Sequence, residues 1–559
     1  MPDESRMAPD CGPLTPLRCG DTPRRPWLWL AALVVYALLL NLPFLGSGMP
    51  LEHHEALVAE RTRGMMEFGH GLVPHLYSTG EPDFKKPPLP FWIQAGLGRL
   101  CGGISEFTLR LPSVLAGVGT MLLVVALVRR MAAWRPALVA GLVFTASAAS
   151  MVWSRKGSVD MLLCLLTTAA LVAYWYGLTE PNRRRQVILF AAMWLSLGLG
   201  VLAKGPLPLA VWLMAVVGAA LADPRARRVG RMLPIAGPLI LAAVVVPWGL
   251  YVLKTYPGAV EQWYSQSLGR TQGELEGRSH LYDYLYMTPA LWLPWPAFVV
   301  VGLVTAVRRK TLAPGAVAFL LAWGLGLAAL LTFSAEKRIY YVLATAPAML
   351  ALAGLGEDYV TFLWQGPRSR LGRWFVALHA LAIPGGVLAA VALARRFPDV
   401  TAWMVPFGAV LVAGLTVTFV LFVCRRRVAA MASMATLILV AFLVVLAEPV
   451  RLVLSPTDRT SADLGRFVAA MDPPPQAVCL YKWRRNAAAV TFYVAQRVPV
   501  MEQLDAMAAW RRDHPDGCVV VRAEEAAELE PLGPWRWVFP EAPPGDGRRY
   551  CLLQAVGSR

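Results

Sequence analysis

The sequence predicts an α-helical polytopic membrane protein, with about thirteen transmembrane helices and a small α/β domain at its C-terminal end. Three observations carry that prediction. Hydrophobic residues make up 57% of the 559 positions and charged residues only 16%, far from a soluble composition. Apolar runs of roughly 17–25 residues recur, each long enough to cross a bilayer as a helix. Short arginine clusters fall in every second connection between those runs, as cytoplasmic loops do.

Taken in order, residues 1–26 are rich in Pro and Arg without apolar periodicity and read as a disordered cytoplasmic tail. Trp27 to Phe44 form the first span. This run starts too late for a signal peptide and lacks a small-residue cleavage site. Further spans are expected near 109–128, 134–153, 159–178, 187–203, 206–222, 233–254, 287–307, 314–333, 339–356, 374–394, 402–424 and 428–449. Together 27–450 make a transmembrane domain with a large first outer loop, 50–108.

The basic clusters set the orientation. Arg129-Arg130, Arg183-Arg184-Arg185, Arg225 to Arg231, Arg308-Arg309-Lys310, Arg368 to Arg373 and Arg425-Arg426-Arg427 belong on the cytoplasmic side. The first loop, the Arg155–Asp160 turn, Lys204-Gly205-Pro206, the 255–286 loop and Ser334–Arg338 then face outward together. Arg395-Arg396 is an exception, a basic pair on the outer side. An odd span count puts 451–559 outside as well, so the protein is expected in the cell membrane with its chemistry on the outer side.

The formal net charge of +17 does not indicate nucleic acid, because the arginines are spent on topology. The eight cysteines show no C-x-x-C or other ligand spacing, and no cofactor or divalent-metal site is legible. Residues 451–559 shorten into runs such as AVCLYKW, VTFYVA and CVVVRA, read as strands, with MEQLDAMAAWRRDH read as a helix. No phosphate loop or nucleophile elbow occurs there, so this domain is expected to be a lid or docking module. One disulfide among Cys479, Cys518 and Cys551 is allowed, without a pairing.

The first loop is the longest polar interruption before residue 450, with Glu52-His53-His54-Glu55 at one end and Lys85-Lys86 at the other. The outward loops together offer Glu52, His54, Glu55 and Asp160 as acids or bases, and Lys86, Lys204, Arg270, Lys337 and Arg338 as cations. Charges near membrane depth line cavities or ligand paths. Several cations beside a few proton acceptors suit a bound phosphate next to a reacting group, and a lipid phosphate fits a membrane surface best.

Phe84-Lys85-Lys86-Pro87-Pro88-Leu89, RLPSVLAG from Arg110, SRKGSVDMLL from Ser154 and LAKGP from Leu202 stand in order along the chain. SLGR ending at Arg270, LPWP from Leu293 and SAEKRIYYVLATAP from Ser334 follow. As a set these stretches resemble the bacterial GT-C glycosyltransferases, in particular the aminoarabinose lipid A transferases (ArnT-like) and the wider protein O-mannosyltransferase-like superfamily. The likeness covers roughly residues 30–350 in order. It implies the GT-C fold and inverting transfer of a sugar from a polyprenyl-phosphate donor to lipid A, another glycolipid or a protein.

The resemblance also implies roles. Lys86, Arg270, Lys204, Lys337, Tyr340 and Tyr341 would bind the substrate or its lipid phosphate, and Asp160 occupies the second acidic position. The catalytic aspartate–glutamate pair falls on His54-Glu55, so a histidine stands where the family has aspartate. His54 could serve as base, Glu52 or Glu55 could take over, an already ionised phosphate acceptor could need no base, or transfer could be lost. A lipid transporter and a polyprenyl-phosphate-binding protein without transferase activity are the other classes that share these features.

Overall fold

The computed structural model describes residues 25–47, 50–68, 70–264, 280–309, 312, 315–356, scattered positions between 384 and 395, 401–424, 427–445, 456–471, 477–483, 487–494, 497–540 and 549–556. Helix dominates up to residue 445. The first apolar run is α1, Pro26–Asn41. The Arg155 guanidinium covers the end of α1, donating to the Asn41 and Pro43 carbonyls at 2.7 Å each. The last carbonyls of a helix have no partner within it.

The first loop is itself helical. It folds as α2 (His53–Glu67) and α3 (Leu89–Leu100), joined by an irregular segment with a bridge between His75 and Pro82. Pro87-Pro88 delay helix until Leu89, and Pro90 is tolerated in the first turn, where no N–H is required. Lys85 and Lys86 therefore sit immediately before α3.

Next come α4 (Glu106–Met131), α5 (Trp134–Thr145), α6 (Ala148–Trp153), α7 (Asp160–Thr179), α8 (Arg183–Lys204), α9 (Leu207–Ala222) and α10 (Ala236–Thr255). They are followed by α11 (Asp283–Ala290), α12 (Pro296–Arg309), α13 (Ala316–Leu331), α14 (Ala346–Leu355), α15 (Thr401–Val423) and α16 (Arg427–Val445). Helices α4, α7, α8 and α10 are long and apolar enough to cross a membrane, and shorter apolar helices accompany them.

Three expected spans are broken, the 339–356 run because Ile339–Tyr341 and Leu343–Thr345 form 3-10 turns ahead of α14. The 134–153 run divides at Ala146-Ser147, where the Ser147 hydroxyl accepts the Ser150 N–H at 3.3 Å and starts α6. The 287–307 run is interrupted by Pro294 and Pro296, which cannot donate to a continuing ladder. The run at 374–394 falls largely outside the described residues. The helices pack around one core that includes Phe144, Trp175, Phe190, Phe319 and Trp323.

From Pro456 onward the chain forms α17 (Pro456–Ala469), α18 (Ala487–Val494), α19 (Leu504–Asp513) and five strands. The strands are β1 (Val478–Tyr481), β2 (Val500–Met501), β3 (Cys518–Arg522), β4 (Trp535–Phe539) and β5 (Tyr550–Ala555). Their order is β2-β1-β3-β5-β4, with β1 parallel to β2 and β3, and β5 antiparallel to β3 and β4. Alternation sends Val478 and Leu480 to one core and Cys479 and Tyr481 to the other. Cys479, Cys518 and Cys551 are buried free thiols.

One reading of this segment is corrected. VTFYVA, expected as a strand, is helical over Val490–Val494, the end of α18. The helix is covered on almost every side, so its apolar residues show no helical period, and a short apolar run of that kind does not distinguish strand from buried helix. Ala488, Ala489 and Phe492 of α18 share a core with Ala56, Ala59, Phe91 and Leu109 of the first loop and α4.

Candidate active site

The N-terminal end of α2 is fixed through Glu55. Its carboxylate accepts from Arg110 Nε and Nη2 at 2.9 Å each, from the Gly157 N–H at 2.6 Å and from the Glu52 N–H at 3.1 Å. Both partners of this ion pair are buried. Burial pushes the Glu55 carboxyl up, but the Arg110 charge and these hydrogen bonds outweigh it and hold the group below its ordinary range. Arg110 also donates to the Leu45 and Pro50 carbonyls, at 3.1 and 3.2 Å, and so pins the turn leading into α2.

His54 is the exposed neighbour of that anchor. Its ring meets Tyr340 edge-on, with centroids 5.9 Å apart. Glu52, the N-cap of α2 and partly exposed, pairs with Lys156 at 2.8 Å.

Asp160 opens α7, and Lys204 closes α8. The two side chains are ion-paired and buried against each other. Gly205 follows Lys204 with φ +87°, a left-handed turn that glycine adopts without a Cβ clash. The Lys204 ammonium lies 4.7 Å from the Tyr340 ring centroid and 5.2 Å from that of Tyr341, within cation–π range. His54, Tyr340, Tyr341, Lys204 and Asp160 thus form one continuous run of contacts.

Lys204 and Tyr341 also face a cavity of about 790 Å³, whose other polar lining includes Lys85, Lys86, Ser334 and Glu336. The rest of its wall is apolar, with Val245, Leu250 and Leu253 of α10 and Leu327 and Leu330 of α13. The lysine-bearing segment is held from behind. Asp83 Oδ2 accepts from Arg61 Nε and Nη2 at 3.1 and 2.8 Å, and Oδ1 accepts the Lys85 N–H at 3.3 Å. Burial raises the Asp83 carboxyl, but the charges of Arg61 and Lys85 bring it below its ordinary range. Trp263 Nε1 donates to the Phe84 carbonyl at 3.2 Å.

Of the residues singled out from sequence, Lys337 lies apart from the cavity lining, buried with its ammonium donating to the Ser334 carbonyl at 2.8 Å. Arg270 lies outside the described residues. Lys85, Arg61, Asp83 and Glu336 join the site from the structure alone. Arg110 stands in the sequence within RLPSVLAG, and an arginine inside an apolar span is the signal for it.

The profile of the dolichyl-phosphate-mannose-protein mannosyltransferase family matches residues 85–251. The undecaprenyl phosphate-alpha-4-amino-4-deoxy-L-arabinose arabinosyl transferase of Edwardsiella ictaluri is 28% identical over 335 residues, 59% of each chain. That of Pseudomonas aeruginosa is 29% identical over 377 residues, 66% of this chain and 64% of its own. The match thus spans about three fifths of the length of these curated relatives. The crystal structure of ArnT from Cupriavidus metallidurans bound to undecaprenyl phosphate superposes with a TM-score of 0.76 at 20% identity, covering 96% of this chain and 99% of that one. The Archaeoglobus fulgidus oligosaccharyltransferase gives 0.51 at 11% identity, covering 91% of this chain and 70% of its own. This chain has the fold of ArnT and resembles the bacterial GT-C glycosyltransferases of the ArnT type.

Proposed function

We propose that the chain is a membrane glycosyltransferase that moves a sugar from a polyprenyl-phosphate donor to an acceptor at the outer face, with lipid A the acceptor that the resemblance implies. One observation carries the reading. The cavity lining combines an apolar wall with the lysines Lys85, Lys86 and Lys204, which suits a prenyl tail ending in a phosphate. Thirteen spans, outward placement of these lysines, and the division into a tail (1–26), transmembrane domain (27–450) and outer α/β domain (451–559) belong to the same proposal.

In the proposed reaction the acceptor oxygen attacks the anomeric carbon while the bond from that carbon to the phosphate oxygen breaks. Positive charge develops on the sugar ring, and the lipid phosphate leaves with its electron pair. Lys86 and Arg270, assisted by Lys204, stabilise the negative charge gained by the leaving phosphate in a poorly hydrated cleft. His54 accepts the acceptor's proton or, for an ionised phosphate acceptor, orients it. Asp160 holds Lys204, and Tyr340 and Tyr341 fix its ammonium. Glu55 is assigned to positioning, since all its hydrogen bonds are committed to Arg110, Gly157 and Glu52.

A second reading, binding without transfer, is favoured by the histidine at position 54. Purified full-length protein in lipid nanodiscs, given undecaprenyl-phosphate-linked 4-amino-4-deoxy-L-arabinose and lipid A, separates the two. Mass spectrometry should find one sugar residue added to lipid A and free undecaprenyl phosphate. Tight binding of undecaprenyl phosphate with no modified acceptor would overturn transfer in favour of binding.

A further inference from the structure

Three successive residues at the end of α18 hold the first loop at three places. The Thr491 hydroxyl donates to Glu60 Oε2 at 3.4 Å. The Phe492 carbonyl accepts Arg63 Nη1 at 3.1 Å, and the same guanidinium lies 4.2 Å from the Phe492 ring centroid. The Tyr493 phenol oxygen accepts the Leu51 N–H at 2.9 Å and donates to the Glu106 carboxylate. Arg466 of α17 lies 4.6 Å from the Tyr493 ring centroid and reaches Glu106 Oε1 at 3.4 Å.

The Thr491 and Phe492 contacts, with the apolar packing of Ala488 and Ala489, dock the C-terminal segment onto the middle of α2. The Tyr493 phenol does something else. Leu51 immediately precedes Glu52, His53, His54 and Glu55, and Glu106 begins α4 one turn before Arg110. One hydroxyl therefore bridges the two backbone segments whose side chains, Glu55 and Arg110, lock the His54-bearing end of α2. Burial raises the phenol far above its ordinary range and keeps it a donor to Glu106.

We infer that Tyr493, in the C-terminal α/β segment, is a positioning residue for the His54-bearing end of α2, so that this segment helps build the site. The inference rests on the reaction proposed above only for its effect on turnover. Tyr493→Phe keeps the ring, its Arg466 contact and the docking surface, and removes the bridge. In full-length protein in nanodiscs, hydrogen–deuterium exchange over residues 51–55 should rise about tenfold in this variant, the size expected for losing one hydrogen bond. Exchange over 89–100 and in the sheet should stay unchanged, as should binding of undecaprenyl phosphate. Turnover should fall about tenfold in kcat with donor KM unchanged.

Unchanged exchange over 51–55 would overturn the inference. Faster exchange throughout β1, β3 and β5 would overturn it too, in favour of a merely stabilising role. If Tyr493→Phe does not accumulate, Glu106→Ala removes the other end of the bridge and should speed exchange over the same residues, an unchanged rate again overturning the inference. Glu106→Gln keeps an acceptor and should behave as wild type. Absence of transfer by wild-type protein would defeat the proposed reaction alone, because the exchange measurement still decides the role of Tyr493.

Discussion

Arg110 grips both carboxylate oxygens of Glu55, at 2.9 Å each, and the pair is buried where the first loop meets α4. Removing one partner leaves the other charge buried and uncompensated. Arg110→Ala should therefore cost roughly 3–5 kcal/mol of stability, read as a lowered unfolding midpoint. Glu55→Gln should lose stability and turnover together. Loss of turnover at wild-type stability would instead return Glu55 to the role of base.

The same pair sets an acid limit. The Glu55 carboxyl is depressed in the folded protein because the Arg110 charge and hydrogen bonds outweigh burial. A group depressed on folding contributes fully above its unfolded pKa, about 4.3 for glutamate, and that contribution is lost as pH falls through the lower folded value. Asp83, depressed by Arg61 and Lys85, acts in the same direction. The wild-type unfolding temperature should hold between about pH 8 and 5 and fall steeply below about pH 4. Glu55→Gln should start lower and fall less. Parallel pH curves would show that this carboxyl does not couple to folding.

Asp160 and Lys204 make a second buried pair, and here stability and chemistry can be separated. Asp160→Asn and Lys204→Met alone each strand a buried charge and should cost roughly 3–5 kcal/mol. The double variant removes both charges and should recover most of that stability, yet remain without transfer on the proposed reading. Recovery of turnover along with stability would make the pair a packing device only. Thermal unfolding and turnover of the three variants decide it.

Lys86 tests the phosphate end of the cavity. Charge-assisted contacts to a phosphate are worth roughly 1.5–3 kcal/mol, so Lys86→Ala should weaken undecaprenyl-phosphate binding about ten- to a hundredfold. Arg270→Ala, placed by resemblance, should act alike. Asp83→Asn should weaken binding less, because it loosens the support of the lysine segment while keeping the lysines. Unchanged binding in Lys86→Ala would remove the phosphate from this end of the cavity.

Much of this site was legible because the chain must justify each charge it places near lipid. Lys86, Asp160 and Lys204 stood out for that reason, and the tyrosines for their place in the motif around Arg338. Glu55 was legible as important but not as an anchor, since Arg110 lies 55 residues away and pairing at that distance follows from the packing of α2 on α4. The Arg61–Asp83 brace was hidden likewise, inside a loop that reads as irregular although much of it is helix. VTFYVA misled because burial on nearly every side erases the helical period, and with it went the contact of Tyr493 with the first loop. The helical interruptions at Ser147 and Pro294 lay below the resolution of a hydropathy reading, which registers apolar length and not capping.

The histidine at position 54 carries the sharpest test. Its ring is exposed and rests edge-on against Tyr340, which in turn faces Lys204, so it lies beside the proposed phosphate site without belonging to the Glu55–Arg110 anchor. On the proposed reading His54→Ala should lower kcat about a hundredfold, the usual scale for losing a general base, and leave undecaprenyl-phosphate binding intact. His54→Asp should restore most of the turnover by supplying a carboxylate from the same backbone position. The two active forms should then differ in their pH profiles, because an imidazole titrates near neutrality and an ordinary aspartate does not. If the acceptor is an ionised phosphate that needs no base, His54→Ala should cost only a few fold and the profile should keep its shape. Full turnover in His54→Ala with an unchanged profile would remove His54 from the reaction and leave the cations and Asp160 to account for it.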